Sequence, residues 1–359
     1  MERQMKARSI FSAAVLAAAM VGSVFAQEKK NEYVSVDEVK AVADDYRDFQ
    51  IQGEYVWYAG GKVFACQCIA NGDGKFTVVG FPGGFPGMGW HAKEARIYYE
   101  GGIEGNEVIL RPTKMDLEGQ NNLPMMESHK DDITKIDLAG TTMTFCVPGK
   151  PDRIAKKFVR PNDRVGVVED GAVILYDGTA KDKTNTDNIA SYRKINEETG
   201  AMFAEFVTKE LEKGKECFVH VEFMLSFMPR AKGQARSNSG VYLYECYECQ
   251  VLDSFGLRGE NNECGGFYQQ KRPLANAVLS PLTWQAYDFH IIPAKYENGK
   301  KVANAKVDVA LNGILIHDGL EISGQTPGRK AEADEARGIY FQGHGNNVQY
   351  RNIWVKYVD

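Results

Sequence analysis

The sequence predicts an all-β protein: a double-sheet sandwich or jelly roll in the second half, preceded by a small antiparallel sheet or barrel and one short N-terminal helix. Three observations carry this expectation. Glycine supplies 36 of 359 residues and aromatics 11%, a composition suited to short strands and tight turns. Apolar residues alternate with polar ones in many short segments separated by Gly, Pro and Asn. Only one segment shows the three-to-four-residue spacing of an amphipathic helix. Hydrophobic residues at 43% and charged residues at 25% describe a globular chain rather than a disordered one. The net charge is −5, and no dense Lys/Arg stripe with interleaved aromatics is present, so nucleic acid is not an expected partner.

In chain order, residues 1–26 read as a secretory signal peptide. Arg3, Lys6 and Arg8 precede an apolar run over 10–22, and the small-residue pattern Val24-Phe25-Ala26 places cleavage before Gln27. The run falls short of the ~20 apolar residues of a spanning helix, so no transmembrane segment is expected after cleavage. The mature chain is expected in the periplasm or outside the cell. In that oxidising setting the seven cysteines are an odd number, so at least one is unpaired within the chain. Cys246 and Cys249 have the spacing of half a zinc site, but three residues apart on a strand they point to opposite faces. The cysteines are read as small buried residues.

Residues 27–50 form a leader and the helix. Ser35 and Glu38 make a capping box, Val34 and Val39 suit a hydrophobic staple, and Val39, Val42 and Tyr46 share a face, which predicts one helix over 36–49. Residues 51–165 form the small β domain. Strands are expected at 62–70 and 75–81 around the hairpin signal Asn71-Gly72-Asp73-Gly74, and then at 95–99, 107–111, 133–137 and 141–147. The stretch 148–161 is part strand and part link. Gly87-Met88-Gly89-Trp90-His91-Ala92 imitates a nucleotide loop, but Pro82 and Pro86 crowd it and a strand follows where a helix is required, so it reads as a surface loop. Residues 166–359 form the larger domain, with strands at 173–176, 202–208, 217–227, 241–252, 286–292, 305–311 and 347–357 and a charged loop at 329–337.

Polar residues crowd the strand at 241–252. On a regular strand Glu248 and Gln250 share a face with Tyr242, Tyr244 and Cys246. A carboxylate and an amide among aromatic rings is how a sugar site is commonly built: rings cover C–H faces while the polar groups bond hydroxyls. Asp253 lies one step out of phase and joins them only if the strand bulges. His220, flanked by Val219 and Val221, reads as structural, and His317 beside Asp318 as a loop pair.

Taken together, Phe218-Val219-His220-Val221-Glu222-Phe223, Asn238-Ser239-Gly240-Val241-Tyr242, Tyr247-Glu248-Cys249-Gln250-Val251-Leu252-Asp253-Ser254, Trp284-Gln285-Ala286-Tyr287-Asp288 and Leu311-Asn312-Gly313 resemble the 3-keto-disaccharide hydrolase domain family. The close, Gln342-Gly343-His344-Gly345-Asn346-Asn347-Val348-Gln349-Tyr350-Arg351-Asn352-Ile353-Trp354, resembles that family's C-terminal signature. The resemblance covers about 172–357 and implies a concanavalin A-like jelly roll; 55–161 lies outside it and looks like an accessory domain. It further implies an exported enzyme that cleaves the glycosidic bond of a 3-keto-glycoside or disaccharide, by hydrolysis or by elimination and hydration. On this reading Glu248 is the base or a metal ligand, Asp253 a second carboxylate, and His344 the acid or a ligand. Asn238 and Gln250 bind hydroxyls, and Tyr242, Tyr268, Trp284 and Arg351 complete the substrate site. No cofactor is named beyond a divalent metal, which is left open with Glu248 and His344 as its candidate ligands. The chain departs from the family where Tyr244-Glu245 replaces an Arg-Gly pair, and where Gly343 replaces an Asp before the C-terminal His. These departures sustain a rival reading, a non-catalytic carbohydrate-binding module of the same fold; a surface scaffold is a third.

Overall fold

The computed structural model describes residues 31–358 apart from 92–93, 118 and 179–184, so the leader expected at 1–26 lies outside the described residues. The expected single helix is two: α1, Val36–Lys40, and α2, Ala43–Ile51. The capping box forms, with the Glu38 N–H donating to Ser35 Oγ at 3.3 Å and the Val34 N–H donating to Glu38 Oε2 at 3.0 Å. The chain breaks at Val42, which is extended at φ −121° and ψ 98°. The break reorients α2 so that its polar side faces partners rather than water. Asp45 pairs with Arg230 at 2.5 Å, and Asp48 accepts the Gly74 N–H at 2.9 Å. Tertiary contacts thus override the helical periodicity.

Eight antiparallel strands then close into a barrel: β1, Gly53–Ala59; β2, Lys62–Ala70; β3, Lys75–Pro82; β4, Arg96–Glu104; β5, Glu107–Leu117; β6, Ile133–Asp137; β7, Thr142–Cys146; and β8, Arg153–Phe158. Their order is β4-β3-β2-β1-β8-β7-β6-β5, and β4 pairs back onto β5. Asn71-Gly72-Asp73-Gly74 makes the β2–β3 turn as expected, with Asp73, Gly72 and Gly74 all at positive φ. Inward residues of successive strands fill the barrel, among them Tyr55, Cys66, Cys68, Phe76, Val78, Leu110, Ile136 and Met143. Val39 and Ile51 from the helices join this cluster and stopper one end.

The second block contributes eleven strands: β9, Val173–Tyr176; β10, Ile189–Ile195; β11, Met202–Thr208; β12, Cys217–Met224; β13, Ser239–Leu243; β14, Tyr247–Val251; β15, Trp284–Ile292; β16, Ala305–Leu311; β17, Ile314–Ile322; β18, Tyr340–Phe341; and β19, Gln349–Tyr357. One layer runs β10-β11-β18-β13-β14 and the other β9-β19-β12-β15-β16-β17. Met202 and Phe203 of β11 pair with Tyr350 and Gln349 of β19, joining the layers at a corner. The Tyr287 hydroxyl spans the sandwich to donate to the Gln250 carbonyl at 2.7 Å, and Phe206 stacks on Phe341 at 4.2 Å.

Two sequence expectations fail here for identifiable reasons. The strand expected at 241–252 is the hairpin β13–β14, closed by the Cys246 N–H to the Leu243 carbonyl at 3.1 Å with Tyr244 and Glu245 at φ 51° and 52°. Turns of this hand normally carry Asn or Gly. Here Glu245 is pinned at 2.9 Å by both Arg329 and Lys330, so tertiary ion pairs replace the turn signal. His317 sits on β17 rather than in a loop. It is buried with Nε2 2.6 Å from the Gly265 carbonyl, and burial lowers its pKa. The cysteine reading meets no such difficulty: all seven thiols are free, and six are buried.

Every barrel strand lies within 53–158 and every sandwich strand within 173–357, yet the apolar core of the sandwich runs on into the barrel's outer face at Ala65, Ile69, Val79 and Phe81. Gly256, at φ 75°, permits a close approach: a Cβ there meets Ile69 Cδ1 at 2.5 Å. Phe81→Ala is therefore expected to destabilise the whole chain by about 3–5 kcal/mol. Calorimetry should show one cooperative transition shifted down; two transitions, with only the barrel's moved, would show that the blocks fold independently.

Candidate active site

Strict alternation on β13 and β14 builds the site. Val241, Leu243, Tyr247, Cys249 and Val251 enter the sandwich core, so Tyr242, Glu248 and Gln250 face outward together. Register pairs Tyr242 with Glu248, Gly240 with Gln250, and Tyr242 with Tyr340 of the next strand. Gly240 matters at this point, because a Cβ there stands 2.2 Å from Glu248 Oε1; only glycine leaves the carboxylate its place.

Glu248 is 2% exposed. Burial pushes its carboxyl up to about 7, and the nearby Tyr242 hydroxyl pulls the other way. Among the described residues no Lys, Arg or His forms an ion pair with it. The Tyr242 hydroxyl donates to the Pro327 carbonyl at 3.1 Å and accepts from Gln342 Nε2 at 3.2 Å. The Gln250 amide is satisfied with its nitrogen toward Glu248 Oε1 at 3.2 Å and the Ser239 carbonyl at 2.6 Å, and its oxygen toward Gln234. Asn238 Nδ2 donates to the Gln234 carbonyl at 2.8 Å, while its own Oδ1 is buried without a partner. The half-buried Tyr268 lies alongside, its N–H donating to the Glu248 carbonyl at 3.1 Å.

The loop carrying His344 is held against this face at both ends. The Gln342 N–H donates to the Gly240 carbonyl at 2.8 Å, and Asn346 Oδ1 accepts the Asn238 N–H at 2.8 Å. His344 itself is exposed. At Gly343, where the resemblance leads one to expect Asp, a Cβ meets Glu205 Cβ at 2.6 Å and Glu205 Oε2 at 3.0 Å. A carboxylate is thus present beside the loop, but β11 supplies it.

Three sequence-predicted residues lie elsewhere. Asp253 follows β14 without a bulge in the β13–β14 ladder, and its carboxylate is bound to the buried Arg236 guanidinium at 2.6 Å. Arg236 also donates to the Ala70 carbonyl at 3.3 Å, so this pair ties the sandwich to the barrel. Trp284 and Arg351 belong to the other layer, where the Arg351 guanidinium stacks 4.0 Å over the Trp284 ring and Nε donates to Glu222 at 2.8 Å. Glu222 alternates with the core residues Val221 and Phe223, which puts this cluster on the outer face of β12. Burial alone raises the Glu222 carboxyl, but the facing His220 imidazole and hydrogen bonds from Asn352, the Gly166 N–H and Arg351 outweigh it and hold the group at about 2. His220 is buried, stacked on Trp354 with Nδ1 2.7 Å from Asp288, and its Nε2 has no hydrogen-bond partner, 3.7 Å from Glu222 Oε1.

Sequence reasoning missed Gln234 beside Asn238 and Gln250, Tyr340 beside Tyr242, Thr326, whose hydroxyl accepts the Glu248 N–H at 2.8 Å, and Glu205 beside Gly343. None sits in phase with the β14 pattern, and only Gln342 was flagged, within the C-terminal motif. As for a metal, among the described residues no group of three or more His, Cys, Asp or Glu is close enough to share an ion. Glu248 and the exposed His344 alone do not make a donor set.

Compared with known proteins, residues 149–356 match the family described as the 3-keto-alpha-glucoside-1,2-lyase-like domain. Among solved structures, a candidate glycosyl hydrolase from Parabacteroides distasonis is 25% identical, over 53% of this chain and 84% of that one, with a TM-score of 0.45. A second from the same organism is 16% identical, over 54% and 99%, with a TM-score of 0.36. No curated protein matches the chain.

The two carboxylates should respond oppositely to removal. Glu248 has a folded pKa above its unfolded value, so its ionisation costs stability as pH rises from about 4.5 to about 7. Glu248→Gln is expected to be neutral at pH 4 and to gain up to roughly 3 kcal/mol at pH 8. Asp253→Ala strands a buried guanidinium and is expected to cost about 3–5 kcal/mol at pH 8. Urea unfolding of both variants decides this; an Asp253→Ala protein as stable as the parent would release Asp253 from its structural role.

Proposed function

The chain belongs to the family of 3-keto-alpha-glucoside-1,2-lyase-like domains, and we propose that it cleaves 3-keto-glycosides with Glu248 as the general base. The family places the protein among carbohydrate-active, glycosidase-like enzymes. The single observation that supports the finer reading is the buried, cation-free carboxylate of Glu248 with its pKa near 7, where a base is both ionised and strong enough to act at neutral pH.

A ketone at C3 acidifies the C2 hydrogen. Glu248 takes that proton, the electron pair moves toward the C3 oxygen as an enolate, and its return expels the C1 substituent with cleavage of the C1–O bond. Water then adds to the unsaturated sugar. The leaving oxygen needs a proton, and His344 on its tethered loop is the group assigned to give it. Gln250 and Asn238 are assigned to hydroxyls, the latter through its unpartnered Oδ1, and Tyr268 and Tyr340 to the C–H faces of the ring. Elimination across C1 and C2 suits a single buried base better than paired-carboxylate hydrolysis, since Asp253 is held by Arg236. Export completes the proposal: residues 1–26 carry the order of charged, apolar and small residues that a leader needs, and mass analysis of the native protein should find Gln27 first.

Activity should be read as aglycone release from a panel of 3-keto-glucosides. Glu248→Gln is expected to lose ~100-fold or more in kcat/KM while remaining folded. The wild-type profile should rise with pH through an apparent pKa near 7, because the ionised form is the base. A profile that falls through pH 7 would make Glu248 the acid instead. Sugar binding without any release by the wild-type chain would favour the non-catalytic binding module.

A further inference from the structure

The barrel has an open end as well as a stoppered one. The helices cover the end at the β2–β3 turn, where the Ala70 N–H donates to Gln52 Oε1 at 3.0 Å. At the opposite end, around the β1–β2 and β7–β8 turns, lies a cavity of about 300 Å³ open to solvent. Its walls are the last inward residues of the strands. Trp57 and Phe64 pair across β1 and β2, Phe64 packs edge-on to Phe145 at 5.4 Å, and Tyr99 lies 6.2 Å from Phe145. A Cβ at Gly80 meets the Phe64 ring at 2.5 Å, so glycine there lets that ring lie flat against the wall. Inward residues nearer the helices pack completely, whereas Trp57, Phe64 and Tyr99 stay half-buried with no side chain filling the space between them.

The rim is predominantly cationic. Lys62, Lys150 and Arg153 line it, and none of the three forms an ion pair among the described residues. Arg153 lies 5.4 Å over the Trp57 ring. The one carboxylate in the lining, Asp132, is bound to His129 Nδ1 at 2.9 Å. Among the described residues no Asn, Gln or Glu lines the cavity and its one carboxylate is engaged by His129, so it is poor in the free acceptors that hold neutral sugar hydroxyls. We propose that this barrel mouth is a second ligand site, separate from the face around Glu248, which takes a small amphipathic anion: an apolar body among the aromatic rings and a carboxylate or sulfonate head at Lys62, Lys150 and Arg153. Eight-stranded barrels have room for one small ligand, and the volume is at the small end for ligand cavities.

The full chain is titrated with 1-anilinonaphthalene-8-sulfonate, followed by probe and tryptophan fluorescence. 4-Hydroxycinnamate, its neutral amide and decanoate serve as competitors. Saturable one-to-one binding is expected, with the amide at least tenfold weaker than the acid. Displacement by 4-hydroxycinnamate identifies an aryl anion and displacement by decanoate an aliphatic one; each supports the site. Lys62→Gln/Lys150→Gln/Arg153→Gln, all at exposed positions, should weaken anions tenfold or more and leave the amide unchanged. Trp57→Ala should weaken acid and amide alike, with an unchanged circular dichroism spectrum as the check on folding. Glu248→Gln should bind the probe as the parent does. Absence of saturable binding, equal affinity for acid and amide, or full probe affinity in the triple variant would each overturn the proposal.

Discussion

Side chains alternate across a β-strand, and this chain uses both faces of its central strands. Because Val241, Leu243, Cys249 and Val251 must enter the sandwich core, Tyr242, Glu248 and Gln250 have nowhere to go but the outer face. A slip of one residue would exchange the two sets and place a carboxylate and an amide in the core, so the same burial that stabilises the fold holds the register of the candidate site. The rule operates again in the barrel. Cys66, Cys68 and Val78 fill its interior, while Ala65, Ile69 and Val79 between them form an apolar outer surface that the sandwich covers.

Among the buried and half-buried carboxylates, several are held as fixed charges, while a few, Asp48 and Glu248 among them, are displaced upward by burial. Asp116, Glu222, Asp253 and Asp288 each meet at least one arginine, and where their pKa values are displaced they are displaced downward. These groups are fixed charges: they stay ionised and tie segments together, Asp116 by binding both Arg96 of the barrel and Arg258 of the sandwich. Glu248 meets only hydroxyl and amide groups and is displaced upward. Desolvation without a counter-charge is the environment that makes a carboxylate a base near neutral pH, and it is found at one place on the face where Asn238, Gln250 and Tyr242 converge. The stability given up by burying that charge is what a catalytic group, rather than a structural one, is expected to cost.

The division between barrel and sandwich is one of topology more than of energetics. No strand is exchanged between them, yet the Arg230–Asp45 and Arg236–Asp253 pairs and a continuous apolar core join them. Such a join leaves the far end of the barrel free, and there the aromatic walls remain unfilled. The two candidate sites accordingly differ in chemistry, one polar and built around a single carboxylate, the other aromatic beneath a cationic rim.

Local signals decided much of this. The Asn71-Gly72-Asp73-Gly74 turn, the strands at Ile133–Asp137, Met202–Thr208 and Ala305–Leu311, and the shared face of Glu248 and Gln250 follow from period-two patterning and turn chemistry, which act over a few residues and are written in the chain. What required the tertiary structure was everything held by distant partners. The Tyr244–Glu245 turn exists because Arg329 and Lys330 grip Glu245, α1 and α2 separate because Asp45 and Asp48 find partners elsewhere in the chain, and the β4–β5 pairing closes the barrel. Asp253, Trp284 and Arg351 have the residue types of a sugar site, and only long-range pairing assigns them to Arg236 and Glu222 instead. A charge in the sequence carries no mark of its counter-charge. Which carboxylates are neutralised, and which are left without a counter-charge in a dry place, is settled by contacts between residues apart in the chain, 17 positions for Arg236 and Asp253 and 129 for Glu222 and Arg351.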